Sequence, residues 1–255
     1  IWVGSELGVS LFDPSKREFS RPIDSGEHEL VDSETIIEDS EGNIWIKLKE
    51  HGLVYQYNIA SDELKYINRS FSGNEMATVL HRGPNGTILL GTNSALYYFD
   101  NDLNELKKVG GKDNLDGLFV NAIVNGNKND IWVGTSDGLF KLDNGTNGVI
   151  DVFRKGKGET SLVSNYVRDL DWDEQRKELW IATQNGLSRY IPSQSRFFNI
   201  QMTPYADSII ENDISEILIA GKSGRLWFTT ENHTGLNCLS IDKDFYSDGP
   251  PPANH

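Results

Sequence analysis

Apolar and aromatic positions recur along the chain in one pattern that is repeated six times. Each repeat contains an apolar run whose second residue is a tryptophan, except in the third repeat, where Leu89 takes that place. The runs begin at Ile1, Ile44, Ile88, Ile131, Leu179 and Leu226. The second residues of successive runs lie 43 to 48 residues apart. A regular period of this length predicts a repeat architecture.

Four apolar runs fit into each period. The tryptophan-containing run is followed by a few small or polar residues and then by a second, alternating run, which is the pattern of a β-hairpin. A further run, closed by Gly, Asn, Asp or Pro, precedes each hairpin after the first, and a fourth run follows each of the first five. Four antiparallel strands in about 45 residues are typical of one β-propeller blade. The sequence therefore predicts an all-β fold, a β-propeller built of four-stranded antiparallel blades.

We expect one domain with six repeats. The approximate blades span residues 1–23, 35–69, 77–109, 120–155, 165–202 and 213–247, followed by a tail at 248–255. The first hairpin opens at Ile1 without an apolar run before it, so the first blade is expected to lack its innermost strand. The segment is therefore interpreted as part of a larger propeller with almost no helix.

Two residue types at fixed places in the repeat are expected to serve the fold. A large ring once per blade can fill the wedge between neighbouring sheets, so the tryptophans are predicted to be buried packing residues on the second strand. They are Trp2, Trp45, Trp132, Trp180 and Trp227. The glycine six residues after the tryptophan is expected to let the next turn pass through positive φ. This position is filled by Gly8, Gly138 and Gly186.

The repeat resembles a known one. Its most complete form, DIWVGTSDGLFKLD, and the stretch TSLVSNYVRDL from Thr160 are similar to the two-component-regulator propeller repeat and to the linker into its innermost strand. Such repeats form the periplasmic sensor region of Bacteroidetes hybrid two-component system histidine kinases. The resemblance covers essentially the whole chain. It implies a seven-bladed propeller, a periplasmic location, and a parent protein that carries the histidine kinase elsewhere and acts as a homodimer.

Composition and charge restrict the partners. The net charge of −14 disfavours nucleic acid and an anionic membrane surface, because proteins that bind them gather Lys and Arg. No apolar run reaches 18 residues, so direct membrane insertion of this segment is not expected. The single cysteine, Cys238, lies in an alternating strand with Leu236 and Leu239 and is predicted to be a buried, inert thiol.

No metal or cofactor is expected. The five histidines are scattered without the spacing of zinc ligands, and no nucleotide-binding or nucleophile motif is present. Eight acidic residues lie between Asp24 and Glu41, but they lack the regular ligand spacing of a calcium loop. That stretch is interpreted as a solvated loop.

Candidate ligand-binding residues lie in the turns between the second and third strands and in the connections between blades, because these loops converge on one face of a propeller. Planar polar groups beside aromatic rings suit sugars, and this set comprises Phe119, Asn121, Asp137, Asn165, Tyr166, Gln184 and Asn185. The irregular turns of the second and sixth repeats add Lys47, Lys49, His51, Glu231, Asn232 and His233. A basic connection adds Arg154 and Lys155. Ordinary solvated loops and neutral drift are the alternatives.

Three function classes stay open. The resemblance implies a non-enzymatic sensor that binds an oligosaccharide and signals to the kinase of its parent. A propeller enzyme acting on sugars, such as a glycosidase or a uronate lyase, is the first alternative, and a structural interaction propeller is the second. An enzyme of this kind is expected to show paired carboxylates or a histidine or metal cluster, and no such set is assignable from the sequence. The sensor is therefore favoured.

Overall fold

The computed structural model describes the chain apart from residues 24–29, 69–70, 72, 111–114, 129, 202–212, 221–223, 232–234 and 242–255. The described residues form 22 strands in six antiparallel sheets, without an α-helix. Their helical turns include the 3₁₀ turns Glu50–Gly52 and Pro192–Gln194. The fold is thus all-β, as the hydrophobic pattern predicts. The chain divides into two compact units, Ile1–Val120 and Asn121–His255.

The first unit contains three sheets, in each of which the strands follow chain order. The first sheet has three strands within the described residues. The strands are β1 (Trp2–Ser5), β2 (Gly8–Asp13) and β3 (Glu18–Ser20) in the first sheet; β4 (Ser33–Glu38), β5 (Ile44–Leu48), β6 (Val54–Asn58) and β7 (Glu63–Tyr66) in the second; and β8 (Ala77–Arg82), β9 (Ile88–Thr92), β10 (Leu96–Asp100) and β11 (Glu105–Lys108) in the third.

The second unit is built in the same way. Its last sheet has three strands within the described residues. The strands are β12 (Val120–Asn125), β13 (Asp130–Thr135), β14 (Gly138–Asp143) and β15 (Gly148–Phe153) in the fourth sheet; β16 (Val167–Asp173), β17 (Glu178–Thr183), β18 (Gly186–Ile191) and β19 (Arg196–Ile200) in the fifth; and β20 (Ile214–Ile219), β21 (Arg225–Thr230) and β22 (Asn237–Ser240) in the sixth. Strand β12 begins at the last residue of the first unit.

The second strand of a sheet carries the core. Every residue of β5, β9 and β17 is buried, which explains why these segments are nearly continuous apolar runs instead of alternating ones. A tryptophan occupies the second strand in four of the six sheets, as predicted, and Trp2 lies on the first described strand of the first sheet. Trp45 and Trp132 are 0% exposed and Trp180 is 1% exposed.

The burial prediction is wrong for two tryptophans. Trp2 and Trp227 are half-buried. Trp2 lies on the edge strand of a three-stranded sheet, and Trp227 lies in the sixth sheet, which no described sheet follows in the second unit. Burial of the ring therefore depends on the surroundings of its strand and not on its place in the repeat alone.

The predicted glycine turns are confirmed. Gly8, Gly138 and Gly186 have φ of 114°, 123° and 115°, a region that side chains with a Cβ rarely adopt. Each of them pairs with the last residue of the preceding strand, as Gly138 does with Thr135. The turn between the second and third strands is therefore tight and fixed in these three sheets.

The structure corrects the expectation for Cys238, whose side chain is exposed. In β22 the face is the reverse of the one predicted, because Leu239 packs against the core of the sixth sheet while Leu236 is 67% exposed. Cys238 lies opposite Trp227 in the sheet, on the face that no described sheet covers.

The acidic stretch is only partly the solvated loop that was expected. Asp24 lies outside the described residues, but Glu34 and Glu38 are part of β4. Asp39 is buried, at 5% exposed. It closes the turn between β4 and β5, where its carboxylate accepts hydrogen bonds from the indole of Trp45 at 2.7 Å and from Asn43 at 2.9 Å.

Candidate functional site

The turns between second and third strands meet the connections that lead into the inner strands at one edge of the second unit. The backbone amide of Gly138 donates to the carbonyl of Asn165 at 2.7 Å. The amide of Gln184 donates to the carbonyl of Tyr166 at 3.0 Å. We call this edge, formed by residues 136–138, 154–166, 168, 184–186, 213 and 231, the turn face of the second unit.

Three predicted residues are joined at the turn face. One carboxylate oxygen of Asp137 accepts a hydrogen bond from the side-chain amide of Asn165 at 2.9 Å, and the other accepts one from Nε of Arg154 at 3.0 Å. The side-chain oxygen of Asn165 in turn accepts the backbone N–H of Lys155 at 2.6 Å. These bonds hold the connection between the fourth and fifth sheets against the turn after β13. The ammonium group of Lys155 itself is exposed and has no partner among the described residues.

A second cluster on the turn face is built around Arg168. Its guanidinium forms a two-pronged pair with Asp213, with distances of 2.6 and 2.8 Å, and lies 3.5 Å from a carboxylate oxygen of Glu231. The same group lies 5.3 Å from the ring centroid of Tyr166. The hydrogen bonds with Asp213 raise the pKa of Arg168 above its ordinary value, so the guanidinium stays charged.

The sequence predicted Tyr166 and Glu231 but missed Arg168 and Asp213. Arg168 is the second residue of β16 and Asp213 directly precedes β20, so the two lie at nearly the same place in consecutive repeats. Opposite charges at the starts of successive inner strands are a signal that could have identified the pair.

The remaining predicted residues of the second unit differ in whether their polar groups are exposed or already hydrogen-bonded. The side-chain amide of Asn121 donates to the carbonyl of Val167 at 2.6 Å and so links the inner strands of the fourth and fifth sheets. Gln184 is exposed, and its side chain has no partner among the described residues. The carbonyl of Asn185 accepts a hydrogen bond from Gln201 at 3.2 Å. Of this group, Gln184 presents the most accessible polar side chain.

The predicted residues of the first unit do not form one cluster of contacts. Lys47 is buried, at 3% exposed, and pairs with Glu34 at 2.5 Å. Lys49 and His51 are exposed around the 3₁₀ turn, where His51 has a φ of 59°. Phe119 is 38% exposed in the segment that enters β12. Asn232 and His233 of the sixth repeat lie outside the described residues.

The first unit also contains a cluster, three hydroxyl groups around one carboxylate, that the sequence did not predict. Glu75 accepts hydrogen bonds from the hydroxyls of Thr92 and Ser94, each at 2.8 Å, and from the hydroxyl of Tyr97 at 3.1 Å. Burial and the neighbouring Glu75 raise the pKa of Tyr97, so its hydroxyl stays protonated and donates. The three donors fix the connection that enters β8 against the turn between β9 and β10.

The turn face of the second unit offers several hydrogen-bonding groups to a ligand. It combines amide, carboxylate, guanidinium and phenol groups. In the part of the chain that the structure describes, no three His, Cys, Asp or Glu side chains are placed to share a metal ion. Nor does that part contain a helix long and apolar enough to cross a membrane.

Comparisons with known proteins agree on the fold. No protein-family model matches the chain. Histidine kinase P4 of Formosa agariphila is 27% identical over 62% of this chain, and the match covers 13% of that protein. The extracellular domain of the proposed hybrid two-component system BT3049 of B. thetaiotaomicron matches 90% of this chain and 35% of its own, with a TM-score of 0.54 and 19% identity.

A propeller enzyme is also structurally similar. Virginiamycin B lyase from Staphylococcus aureus matches 94% of this chain and 80% of its own, with a TM-score of 0.60 and 13% identity. At these identities the likeness to solved structures establishes the fold alone. Because the chain spans 13% of the curated histidine kinase, the activity of a whole parent protein is a matter for proposal. The matches confirm the resemblance drawn from the repeats, and the chain folds as β-propeller sheets.

Proposed function

We propose that the chain is a non-enzymatic sensor segment, located outside the cytoplasm, that binds an oligosaccharide and belongs to a hybrid two-component system. The similarity to a histidine kinase and to the extracellular domain of BT3049 supports a sensor role and this location. The kinase that receives the signal lies elsewhere in the parent, which acts as a homodimer. The polar turn face of the second unit supports ligand binding.

The observation that carries this proposal is that hydrogen bonds hold the loops of the turn face in place. The side chains of Asp137, Asn165 and Arg154 fix the connection on which Lys155 is exposed. Gln184 is exposed in the neighbouring turn, which is itself hydrogen-bonded to Tyr166. Binding sites combine a few placed polar groups with rigid surroundings, because a preorganised site loses less entropy when it takes up a ligand.

The pattern of free and engaged side chains supports different roles for them in the proposed site. Lys155 and Gln184 offer donors and an acceptor to sugar hydroxyls, whereas Asn165 and Asp137 serve to position the loops. Signalling then requires that the oligosaccharide bind one arrangement of the parent more tightly than another, since a ligand shifts only an equilibrium whose states it distinguishes.

The experiment is a screen of the purified chain against neutral and uronate-containing oligosaccharides from plant and algal polysaccharides. Binding to the folded state raises the melting temperature, by an amount that grows with the logarithm of the sugar concentration once this exceeds the dissociation constant. Lys155→Ala and Gln184→Ala are each expected to weaken the affinity for a stabilising sugar by roughly tenfold. Lys177→Ala, in the turn between β16 and β17 at the opposite end of the strands, is the matched control and is expected to bind like the original chain.

Two results would overturn the proposal. A stabilising sugar whose affinity is unchanged in both Lys155→Ala and Gln184→Ala places the site elsewhere. Conversion of the sugar to shorter or unsaturated products identifies the chain as an enzyme. The structural similarity to virginiamycin B lyase is the reason to test this alternative.

A further inference from the structure

The connection between β15 and β16 carries two positive charges that no described carboxylate neutralises. Lys155 and Lys157 are exposed, and neither ammonium group has a partner among the described residues. They lie two residues apart in a chain whose net charge is −14. The connection joins two complete four-stranded sheets of the second unit. We call residues 154–162 the lysine loop.

Every carboxylate of the turn face already has a cationic partner in the structure. The pairs are Asp137 with Arg154, Glu159 with Arg196, and both Asp213 and Glu231 with Arg168. The ammonium groups of Lys155 and Lys157 are therefore the unbalanced charges of this face. An acidic ligand would find two cations there that no described carboxylate holds.

Hydrogen bonds fix the backbone that carries the two lysines. The backbone N–H of Lys155 donates to the side chain of Asn165 at 2.6 Å, and Lys155 forms an isolated β-bridge with Leu162. Further along the loop, the N–H of Phe197 in β19 donates to the carbonyl of Glu159 at 2.6 Å. The ammonium groups are thus attached to an ordered backbone, which reduces the entropy lost when they hold a ligand.

The residue between the two lysines is fixed by close packing. A Cβ on Gly156 would lie 3.0 Å from the Cβ of Ser161 and 3.3 Å from its hydroxyl oxygen. Ser161 is buried, its hydroxyl donates to the carbonyl of Gly158 at 3.0 Å, and its carbonyl accepts the side-chain amide of Asn199 at 3.0 Å. The loop is therefore folded onto Ser161, while the side chains on either side of Gly156 stay exposed.

We propose that the lysine loop makes the turn face selective for an anionic oligosaccharide, whose carboxylate or sulfate groups are held by Lys155 and Lys157. This inference rests on the proposed sugar site and deepens it, because it names the chemical class of the sugar and adds Lys157 to the site. An ammonium group forms stronger hydrogen bonds with an anionic oxygen than with a hydroxyl. The net charge of the chain repels an acidic ligand, so its binding depends on a local excess of cations.

The test compares sugars that differ in charge at the same positions. The first pair is tetragalacturonate and the same tetrasaccharide with its carboxyl groups methyl-esterified. The second pair is a sulfated galactan tetrasaccharide and its desulfated form, so the two pairs distinguish a carboxylate from a sulfate ligand. Calorimetric titration of the purified chain measures each affinity. The charged member of one pair is expected to bind roughly tenfold more tightly than its neutral counterpart.

Variants of Lys157 test the charge itself. Lys157→Gln is expected to weaken the affinity for the charged sugar by roughly fivefold and to leave the affinity for the neutral one unchanged. Lys157→Arg keeps the charge and is expected to retain the preference. Because the side chain is exposed, circular dichroism is expected to show an unchanged fold in both variants.

Lys177→Gln is the matched control, since it removes the same charge from the turn between β16 and β17, where Lys177 pairs with Glu174. It is expected to bind both sugars like the original chain. The difference in affinity between the original chain and Lys157→Gln is expected to shrink as NaCl is added, because salt screens exposed charges. A difference that salt leaves unchanged contradicts a role for the charge.

The outcomes separate this inference from the proposed function. Stabilisation by uncharged sugars alone, or a preference for the charged sugar that Lys157→Gln leaves unchanged, overturns the inference and leaves the proposed sugar site in place. Failure of the proposed function has a different result, in which no sugar of the wider screen, charged or neutral, stabilises the chain. The inference then falls with it.

Discussion

The tryptophans show that the position of a residue in a strand can be predicted from the sequence when its burial cannot. The repeat in the sequence predicted the strand of each ring, because position within a sheet depends on local alternation. It did not predict that Trp2 and Trp227 are half-buried, because the burial of an indole depends on tertiary packing that local alternation does not specify. The same limit explains Cys238, whose alternating strand is compatible with either face.

Replacing Trp132 by Ala is expected to lower the free energy of unfolding by about 3–5 kcal/mol, through lost contacts and the cavity that remains. The ring is 0% exposed and packs against both Phe153 and Tyr190. Trp227→Ala, at a half-buried ring, is the comparison and is expected to cost less. Urea denaturation measures both, and equal losses would show that the repeat position alone determines the contribution.

Asp39 is expected to stabilise the first unit in a way that depends on pH. Burial acts to raise its pKa, but the hydrogen bonds from Trp45, Asn43 and Glu41 lower it by more, so the net pKa is below the ordinary value. Asp39→Ala is expected to cost roughly 1.5–3 kcal/mol near neutral pH. A lowered pKa contributes stability above the unfolded value of about 3.9, and this contribution is lost as the pH falls through the folded value. The difference between the two proteins in urea should therefore shrink in acid, and a constant difference would contradict the assignment.

Asp169 should show the opposite pH dependence. Burial raises its pKa, and the hydrogen bonds from Ile217 and Leu170 only partly offset this, with Asp171 and Glu216 adding negative charge nearby. Asp169 therefore lowers the free energy of unfolding when it is ionised. This effect is fully present above the raised pKa of the folded state and absent below the unfolded value of about 3.9. The free energy of unfolding of Asp169→Asn, minus that of the original chain, should therefore be larger near neutral pH than in acid. Denaturation curves at several pH values measure the difference, and a loss that grows as the pH rises would be inconsistent with a raised pKa.

At the scale of elements, the repeat predicted the strands and their order because four runs recur with turn residues between them. The turns after the second strand were the most predictable, since positive φ leaves few choices of residue. The irregular starts of the inner strands were not predictable. In β16 the register shifts between Val167 and Asp169, and Arg168 at this shift pairs with Asp213 of the next repeat.

Gly138→Ala and Gly186→Ala are each expected to destabilise the second unit by about 1–3 kcal/mol, because both glycines have positive φ. An added Cβ would also lie 2.7 Å from the carbonyl oxygen of Phe153 in the first case and 2.4 Å from that of Ile200 in the second. Gly110→Ala, where a Cβ would meet nothing within 4 Å and φ is not positive, is the control. Melting temperatures compare the three, and a loss at Gly110 as large as at Gly138 would argue against the turn geometry as the cause.

At the scale of the whole molecule, composition and period together predicted an all-β propeller, and the six sheets and the propeller neighbours agree. The candidate site was less predictable, since its members are defined by hydrogen bonds between loops far apart in the sequence. The sequence offered both Lys47, from an irregular turn, and Lys155, from a basic connection, as ligand-binding residues. The structure buries Lys47 against Glu34 and leaves Lys155 exposed on the turn face.

The most direct test of the central claim, a propeller that binds a sugar without changing it, is calorimetric titration of the purified chain with the oligosaccharide that stabilises it most. The same sugar is recovered and weighed by mass spectrometry. Saturable binding that is weakened in Lys155→Ala and retained in Lys177→Ala, with the sugar recovered intact, is the predicted result. Cleaved or unsaturated sugar, or binding that Lys155→Ala leaves unchanged, would contradict the account.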